Sequence, residues 1–232
     1  MLYLLKKMII GKGLIGSGFR NSVFDYSDYI IFASGVSNSN ENIDSEYIRE
    51  RDLIYKTIED NRGLKFIYFS SILTGIVNNK YYNQKLENEK LIKINCSNYI
   101  IFRVPQIIGN FGNSNNLINH FKDCITNKKE IIIYKNTQRS LIDIEDLVDV
   151  VNYCKDKVNC QILNFSYVKK IEVLDLCNFI GDILKQKPIV KCINSSSNTN
   201  WDTCNSRLIN EAIVNIDSLN YNYNVIKKYL KR

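Results

Sequence analysis

Short apolar, β-branched and aromatic runs alternate along this chain with longer stretches whose apolar positions fall three or four residues apart. The runs at 8–10, 28–32, 66–69, 99–102, 131–134 and 162–165 have the length and composition of buried strands. Helical spacing marks 42–61, with Ile43, Tyr47, Leu53, Ile54, Tyr55 and Ile58 on its apolar side and Gly63 as its stop. It marks a second helix opening near Tyr81, a third over 117–125, and a fourth over 172–185 with Val173, Leu174, Leu176, Cys177, Ile180, Ile183 and Leu184 on one face. Pro188 ends that helix, a polar loop follows at 194–200, and 208–219 and 223–230 complete a small C-terminal part. Strands alternating with helices predict an α/β chain with a parallel sheet, and there are no internal repeats.

At 232 residues and 45% hydrophobic content the chain can bury one sizeable core, enough for an α/β domain with a small appendage. The seven cysteines are odd in number and form no C-x-x-C pair, and the single histidine, His120, has no ligand cluster around it. No metal site and no disulfide framework are expected, and a reducing cytoplasm is the simplest compartment. The opening MLYLLKKMII is broken by two lysines and runs straight into a glycine turn, which suits a first strand and not a signal peptide, and no transmembrane segment follows. The net charge of +7 suits an anionic partner: a dinucleotide, a nucleotide-diphosphate sugar or nucleic acid. The lysines are spread over helix faces without a basic stripe interleaved with aromatics, so nucleic acid is not expected.

The first strand leads into Gly11, Gly13 and Gly16, spaced as G-x-G-x-x-G. The first glycine allows the tight strand-to-helix turn, the second lets a pyrophosphate approach the backbone, and the third permits close helix packing. Backbone N–H groups at the helix start, around Leu14 and Ile15, would face the phosphates.

The stretch FIYFSSILTGIVNNKYYNQKLENEKLIKI, residues 66–94, carries the most chemistry. A strand ends in Ser70 and Ser71, and a helix then opens with Tyr81 and Lys85 at i and i+4 on one face. An ammonium there would favour the phenolate and lower the tyrosine pKa from its ordinary ~10, as an acid or base for an alcohol/ketone couple requires. Tyr82, about 100° further round the helix, points elsewhere.

The glycine turn, the Ser-Ser strand end, Tyr81-x-x-x-Lys85 and Glu89 one turn on together resemble the extended short-chain dehydrogenase/reductase family of NAD-dependent epimerases and dehydratases, over nearly the whole chain. The resemblance implies a Rossmann-type domain over 1–160 and a small substrate-binding part over 161–232, with some substrate contacts from 103–150. It implies NAD or NADP as cofactor, held by Gly11, Gly13, Leu14, Ile15, Gly16, the loop Ala33, Ser34 and Gly35, Tyr81, Lys85 and Pro105. It implies a nucleotide-diphosphate sugar as substrate, met by the catalytic Ser/Thr position and by Gln106 and Arg139, the last in a segment QRSLIDIEDL whose Asp146 would sit at a helix start. Ser71 takes the catalytic serine position by strand alignment, whereas counting back from Gly75 selects Ser70.

One departure matters. The second strand normally carries, ~20 residues past the glycines, the residue that reads the adenosine ribose. Here 28–32 and Ala33 to Gly35 arrive almost at once and look like the fourth strand and the loop beneath the nicotinamide ribose. The second and third strands would then be missing and the adenosine half shortened, with Arg20 available to meet a phosphate. On this reading Tyr81 exchanges the hydroxyl proton, Lys85 supports it and holds the ribose, and Ser71 bonds the carbonyl oxygen. The expected activity is a nucleotide-sugar 4-ketoreductase or epimerase of surface-polysaccharide synthesis, with a homodimer allowed for and no membrane partner. The alternative is a non-catalytic or regulatory relative with weakened cofactor binding.

Overall fold

The computed structural model describes residues 8–25, 27–110, 116–165, 170–194, 205–213 and 220–230. Part of the opening strand run, most of the 194–200 loop and the end of the 208–219 segment lie outside them. The first half runs β1 (Ile9–Ile10), α1 (Leu14–Arg20), β2 (Tyr29–Phe32), α2 (Asp44–Asp60), β3 (Lys65–Ser71), α3 (Lys80–Asn95) and β4 (Tyr99–Val104). It continues through β5 (Gln106–Ile108), α4 (Leu117–Thr126), β6 (Glu130–Tyr134), β7 (Gln138–Arg139), β8 (Leu141–Asp143), α5 (Ile144–Cys154) and β9 (Gln161–Asn164). The last elements are β10 (Ile171–Glu172), α6 (Val173–Leu184), β11 (Ile189–Ile193), α7 (Arg207–Ala212) and α8 (Tyr221–Leu230).

The apolar runs build a five-stranded sheet in the order β1-β2-β3-β4-β9, with every neighbouring pair parallel. Both faces are covered, so the strands are apolar on both sides and read as continuous runs. Ile30, Phe32, Phe66, Tyr68 and Ile101 pack on one face against Ile54 and Ile58 of α2 and Ile92 of α3. Ile31, Ile67, Ile100 and Phe102 pack on the other against Phe19 of α1 and Leu147 and Val151 of α5.

That division has a consequence for handedness. The three links β1–α1–β2, β2–α2–β3 and β3–α3–β4 all step in the same direction across the sheet. Yet α1 lies on the face opposite to α2 and α3, so its crossover has the opposite hand. The long connection from β4 to β9 also runs over the α1 face. Parallel crossovers overwhelmingly share one hand, and a reversed one between β1 and β2 is what remains when a strand pair beyond β1 is left out. In a doubly wound sheet, α1 leads outward to those strands and the chain then returns over β1. The shortened adenosine half expected from the spacing is therefore present: among the described residues β1 has a strand neighbour on one side only.

The expected boundary after residue 160 falls too early. β9 continues the parallel ladder, pairing Ile100 with Gln161 and Ile101 with Ile162, so the sheet domain includes it. The remaining strands form three small pairs: β5 with β8, both before α5, and β6 with β11 and β7 with β10, which tie segments before α5 to segments after β9. One apolar cluster reaches from Ile9 to Leu230.

Asp146 stands in the first turn of α5, at the helix start expected for it, and the cap itself is Asp143. Asp143 accepts the Glu145 N–H at 3.0 Å. It is buried and also accepts from Tyr229 Oη at 2.6 Å and Lys228 Nζ at 2.8 Å. Tyr221 Oη accepts the Asp143 N–H at 2.9 Å and donates to Asp146. These contacts clamp α8 to the start of α5. Tyr221→Phe takes the Tyr221 hydroxyl away from the buried Asp143 N–H and from the half-buried Asp146 carboxylate and should cost ~1–3 kcal/mol, read as a lower urea midpoint. An unchanged midpoint would show that the clamp contributes nothing.

Candidate active site

The three glycines of the turn occupy three different environments. Gly11 has φ +118°, and a Cβ there would lie 2.2 Å from the Ala33 carbonyl oxygen. A Cβ on Gly16 would lie 2.6 Å from the Gly11 carbonyl oxygen, whereas one on Gly13 meets nothing within 4 Å. The first glycine thus permits contact between the β1 and β2 loops and the third permits close helix packing. The second leaves open space at the first turn of α1, where Gly13 is the N-cap without a side-chain cap. A dinucleotide pyrophosphate fits this arrangement, since free N–H groups face a space that a side chain would fill. Leu14 and Ile15 pack their side chains into the core, so only their backbone is available.

Arg20, expected to be available to a phosphate, stands at the glycine turn. Its guanidinium folds back along β1 and donates to the Gly11 carbonyl, with a longer 3.4 Å contact to Ile9 O. The Ile10 carbonyl faces β2, accepting the Ala33 N–H at 2.7 Å. Arg20 therefore caps carbonyls on the edge of β1 that has no strand neighbour among the described residues.

Below the 33–36 loop sits a buried polar network. Lys85 Nζ donates to Glu50 Oε1 at 2.8 Å and to Tyr68 Oη at 3.2 Å. Tyr68 Oη donates to Glu50 Oε1 at 2.9 Å, and Asn88 Nδ2 donates to Tyr68 Oη at 3.2 Å. Glu50 Oε2 accepts the Val36 N–H at 2.8 Å, tying the loop to the ion pair. A Cβ on Gly35 would stand 2.7 Å from Lys85 Nζ and 2.9 Å from Glu50 Oε1. Burial alone would raise the Glu50 carboxyl, but the charge and hydrogen bond of Lys85, with the Val36 and Tyr68 bonds, hold it below its ordinary range. Burial would lower Lys85, and Tyr68, Glu50 and Tyr81 hold it well above. Both groups are charged at neutral pH.

This corrects the expected electrostatics. Lys85 is not a lone cation beside Tyr81, because Glu50 neutralises it and the pair presents a dipole. One of its three donors remains, and its Nζ stands 5.6 Å from the Tyr81 ring centroid. The Tyr81 hydroxyl makes no hydrogen bond among the described residues, and its half-buried ring packs edge-on against Tyr82, centroids 5.1 Å apart. Glu50 was not singled out in the sequence, although it stands on the stripe Tyr47, Ile54 and Ile58 where an apolar residue belongs, and it is 0% exposed. Arg51 and Asp52, next along the helix, are exposed.

The two serines part company. Ser70 is buried, donates to Glu89 Oε1 at 2.6 Å and is 3.1 Å from Thr74 Oγ1. Glu89 is held in a fork by Arg103 at 2.9 and 2.6 Å. Ser70 is thus committed to the interior, while half-buried Ser71 only accepts the Leu73 N–H at 3.2 Å. The catalytic candidacy of Ser70 does not survive this packing.

Gln106 and Arg139 are brought together. The Gln106 N–H donates to the Ser140 carbonyl at 3.1 Å, and Gln106 pairs with Leu141 across β5 and β8. Pro105, buried, precedes them. Burial lowers the Arg139 guanidinium, and Tyr82 acts in the other direction. Arg139 donates to the Gln138 carbonyl at 2.9 Å and has no carboxylate partner among the described residues. The Tyr82 phenol, pushed up to about 12 by burial and by Tyr81, is opposed by Arg139. The Tyr82 direction, about 100° round the helix from Tyr81, is therefore the one that feels the Arg139 charge. Among the described residues no group of three or more His, Cys, Asp and Glu could hold a metal, and no helix is long and apolar enough to cross a membrane.

No family model matches the chain, and no curated protein matches it in sequence. Solved structures do match. dTDP-glucose 4,6-dehydratase from Bacillus anthracis, in complex with NAD, superposes with a TM-score of 0.63 at 10% identity, covering 81% of this chain and 67% of that one. UDP-N-acetylglucosamine 4-epimerase from Methanobrevibacter ruminantium, in complex with UDP-N-acetylmuramic acid, gives 0.61 at 16%, covering 81% and 68%. UDP-glucose 4-epimerase from Thermus thermophilus, in complex with NAD, gives 0.64 at 8%, covering 80% and 70%. The chain has the Rossmann-type fold of these extended NAD-dependent epimerases and dehydratases, and at such identities the likeness is one of fold.

The Glu50–Lys85 pair makes a pH prediction. The Glu50 carboxyl is held below its ordinary 4.5, so its stabilisation is fully present above that value and lost as pH falls through the lowered folded value. The Lys85 share is present below the ordinary 10.5 and lost only as pH rises past its higher folded value. Glu50→Gln leaves a buried ammonium unpaired and should cost ~3–5 kcal/mol at neutral pH. Urea midpoints of both proteins should converge as the pH is taken down through the carboxylate range; a gap that stays constant would mean that Glu50 is not ionised in the fold.

Proposed function

We propose that the chain is an NAD(P)-dependent enzyme acting on a nucleotide-diphosphate sugar, a 4-ketoreductase or an epimerase. One continuous set of contacts carries this reading: Gly11 against Ala33, Gly35 against Lys85, and Lys85 beneath Tyr81, whose hydroxyl makes no hydrogen bond among the described residues. It leads from a turn with room for a pyrophosphate to a phenol able to exchange a proton. When bound, the nicotinamide supplies the hydride acceptor or donor. Tyr81 exchanges the proton of the sugar hydroxyl, and the remaining Lys85 donor is offered to the nicotinamide ribose. Ser71 bonds the sugar oxygen.

The substrate side is supported by Arg139, Gln106 and Pro105. A desolvated guanidinium without a carboxylate partner among the described residues suits a diphosphate, whose oxygens accept paired hydrogen bonds. Dehydration ranks last although dehydratases share the fold, because Ile72, Leu73 and Thr74 after Ser71 offer no acidic pair. The products would feed surface-polysaccharide synthesis in the cytoplasm. A second reading, a non-catalytic relative with weakened cofactor binding, is favoured by the neutralised Lys85 and the missing strand pair.

Two measurements separate these readings. Gly13→Val should leave the thermal midpoint intact, since its Cβ site is open, and abolish NADH binding measured by reduced-nicotinamide fluorescence; affinity equal to wild type would make the segment a mere turn. With a panel of UDP- and dTDP-hexoses, Tyr81→Phe should slow turnover by ~10²- to 10⁴-fold with little change in substrate affinity. Wild-type turnover in that variant removes Tyr81 from the reaction, and no turnover of any sugar by the wild type favours the non-catalytic reading.

A further inference from the structure

The missing strand pair changes what the adenosine end of a dinucleotide would meet. In a doubly wound sheet the strand beside β1 ends in a carboxylate that reads the ribose 2′-hydroxyl, and a carboxylate there repels a 2′-phosphate. In this chain α1 runs through a short segment directly into β2, and the edge of β1 is taken by a cation. Arg20 Nη2 donates to the Gly11 carbonyl, and Nη1 lies 3.3 Å from where a Gly16 Cβ would stand, so the guanidinium is laid against the glycine turn itself. Nη1 and Nε have no protein acceptor among the described residues, and the side chain is exposed. Lys12, also exposed, stands within the turn.

The acidic residues of the connecting segment lie at the other end of the sheet. Asp25 bonds Ser27 and feels Lys155 and Asp156, and Asp28 precedes Tyr29, whose hydroxyl bonds Asp156. Tyr29 begins β2, whereas the glycine turn follows the end of β1, and parallel strands put those positions at opposite sheet ends. Nothing on the described adenosine side therefore selects against added negative charge.

We propose that the chain takes NADP(H) at least as readily as NAD(H), with Arg20 as the residue that receives the 2′-phosphate. The proposal rests on the dinucleotide reading of the glycine turn. The test is fluorescence titration of the full chain and of Arg20→Gln and Arg20→Lys with NADH and NADPH. The wild type should bind NADPH as tightly as NADH or more tightly, and only NADPH should weaken steeply with salt. Arg20→Gln should weaken NADPH by about tenfold, the worth of one charge-assisted hydrogen bond, with NADH nearly unchanged and Arg20→Lys in between. A wild-type preference for NADH of about tenfold, or equal loss of both ligands in Arg20→Gln, overturns the proposal and leaves the dinucleotide reading standing. Binding of neither ligand overturns both. If Arg20→Gln does not fold, competition on the wild type decides: adenosine 2′,5′-bisphosphate should displace NADPH at lower concentration than AMP, and the reverse order counts against Arg20.

Discussion

The buried ion pair between Glu50 and Lys85 is the interaction on which the arrangement of the candidate site depends. Burying two charges carries a large desolvation cost, offset only when geometry and additional hydrogen bonds are good. Here Tyr68, the Val36 N–H and a glycine-sized gap at Gly35 meet that requirement. Because the pair spans α2, α3, β3 and the loop after β2, the position of Tyr81 relative to the glycine turn follows from it. A Cβ at position 35 would stand 2.7 Å from the ammonium, so any larger residue there would displace the ends of the paired side chains.

A second constraint is the open edge of β1. A strand beside it would supply N–H groups to the outward carbonyls; in this chain a side chain from the following helix does so. That replacement satisfies backbone acceptors, which are costly to leave unpaired when sheltered from water. It also changes the sign of the charge at the edge. The reversed crossover hand and the capping arginine are thus two aspects of one shortened connection between α1 and β2.

The substrate side is built differently, from short paired segments contributed by distant parts of the chain. β5 and β8 pair Gln106 with Leu141, and β7 and β10 hold Arg139, whose charge is felt by Tyr82 near the start of α3. The clamp of α8 on Asp143 then fixes the beginning of α5. Tyr82 joins this side, while Tyr81, its neighbour, belongs with Lys85. Adjacent positions on one helix therefore serve two surfaces, since 100° per residue separates them.

Strand runs, helix spacing, the glycine turn, the Tyr81–Lys85 face and the shortened half of the sheet were all legible in the sequence, because each rests on local periodicity or on spacing along the chain. Partners set by packing between elements were not. Glu50 reads as a polar residue on a helix until α3 places Lys85 against it. Ser70 and Ser71 are equivalent in composition, and only the alternation of β3 against Glu89 assigns one to the interior. Arg20 needed the empty edge of β1, and Arg139 needed α3 with Tyr82 beside it, before either had a defined surrounding. Local order follows from residue pattern over a few turns, whereas the charge state and direction of a buried polar group depend on side chains tens of residues away, which pattern alone does not bring together.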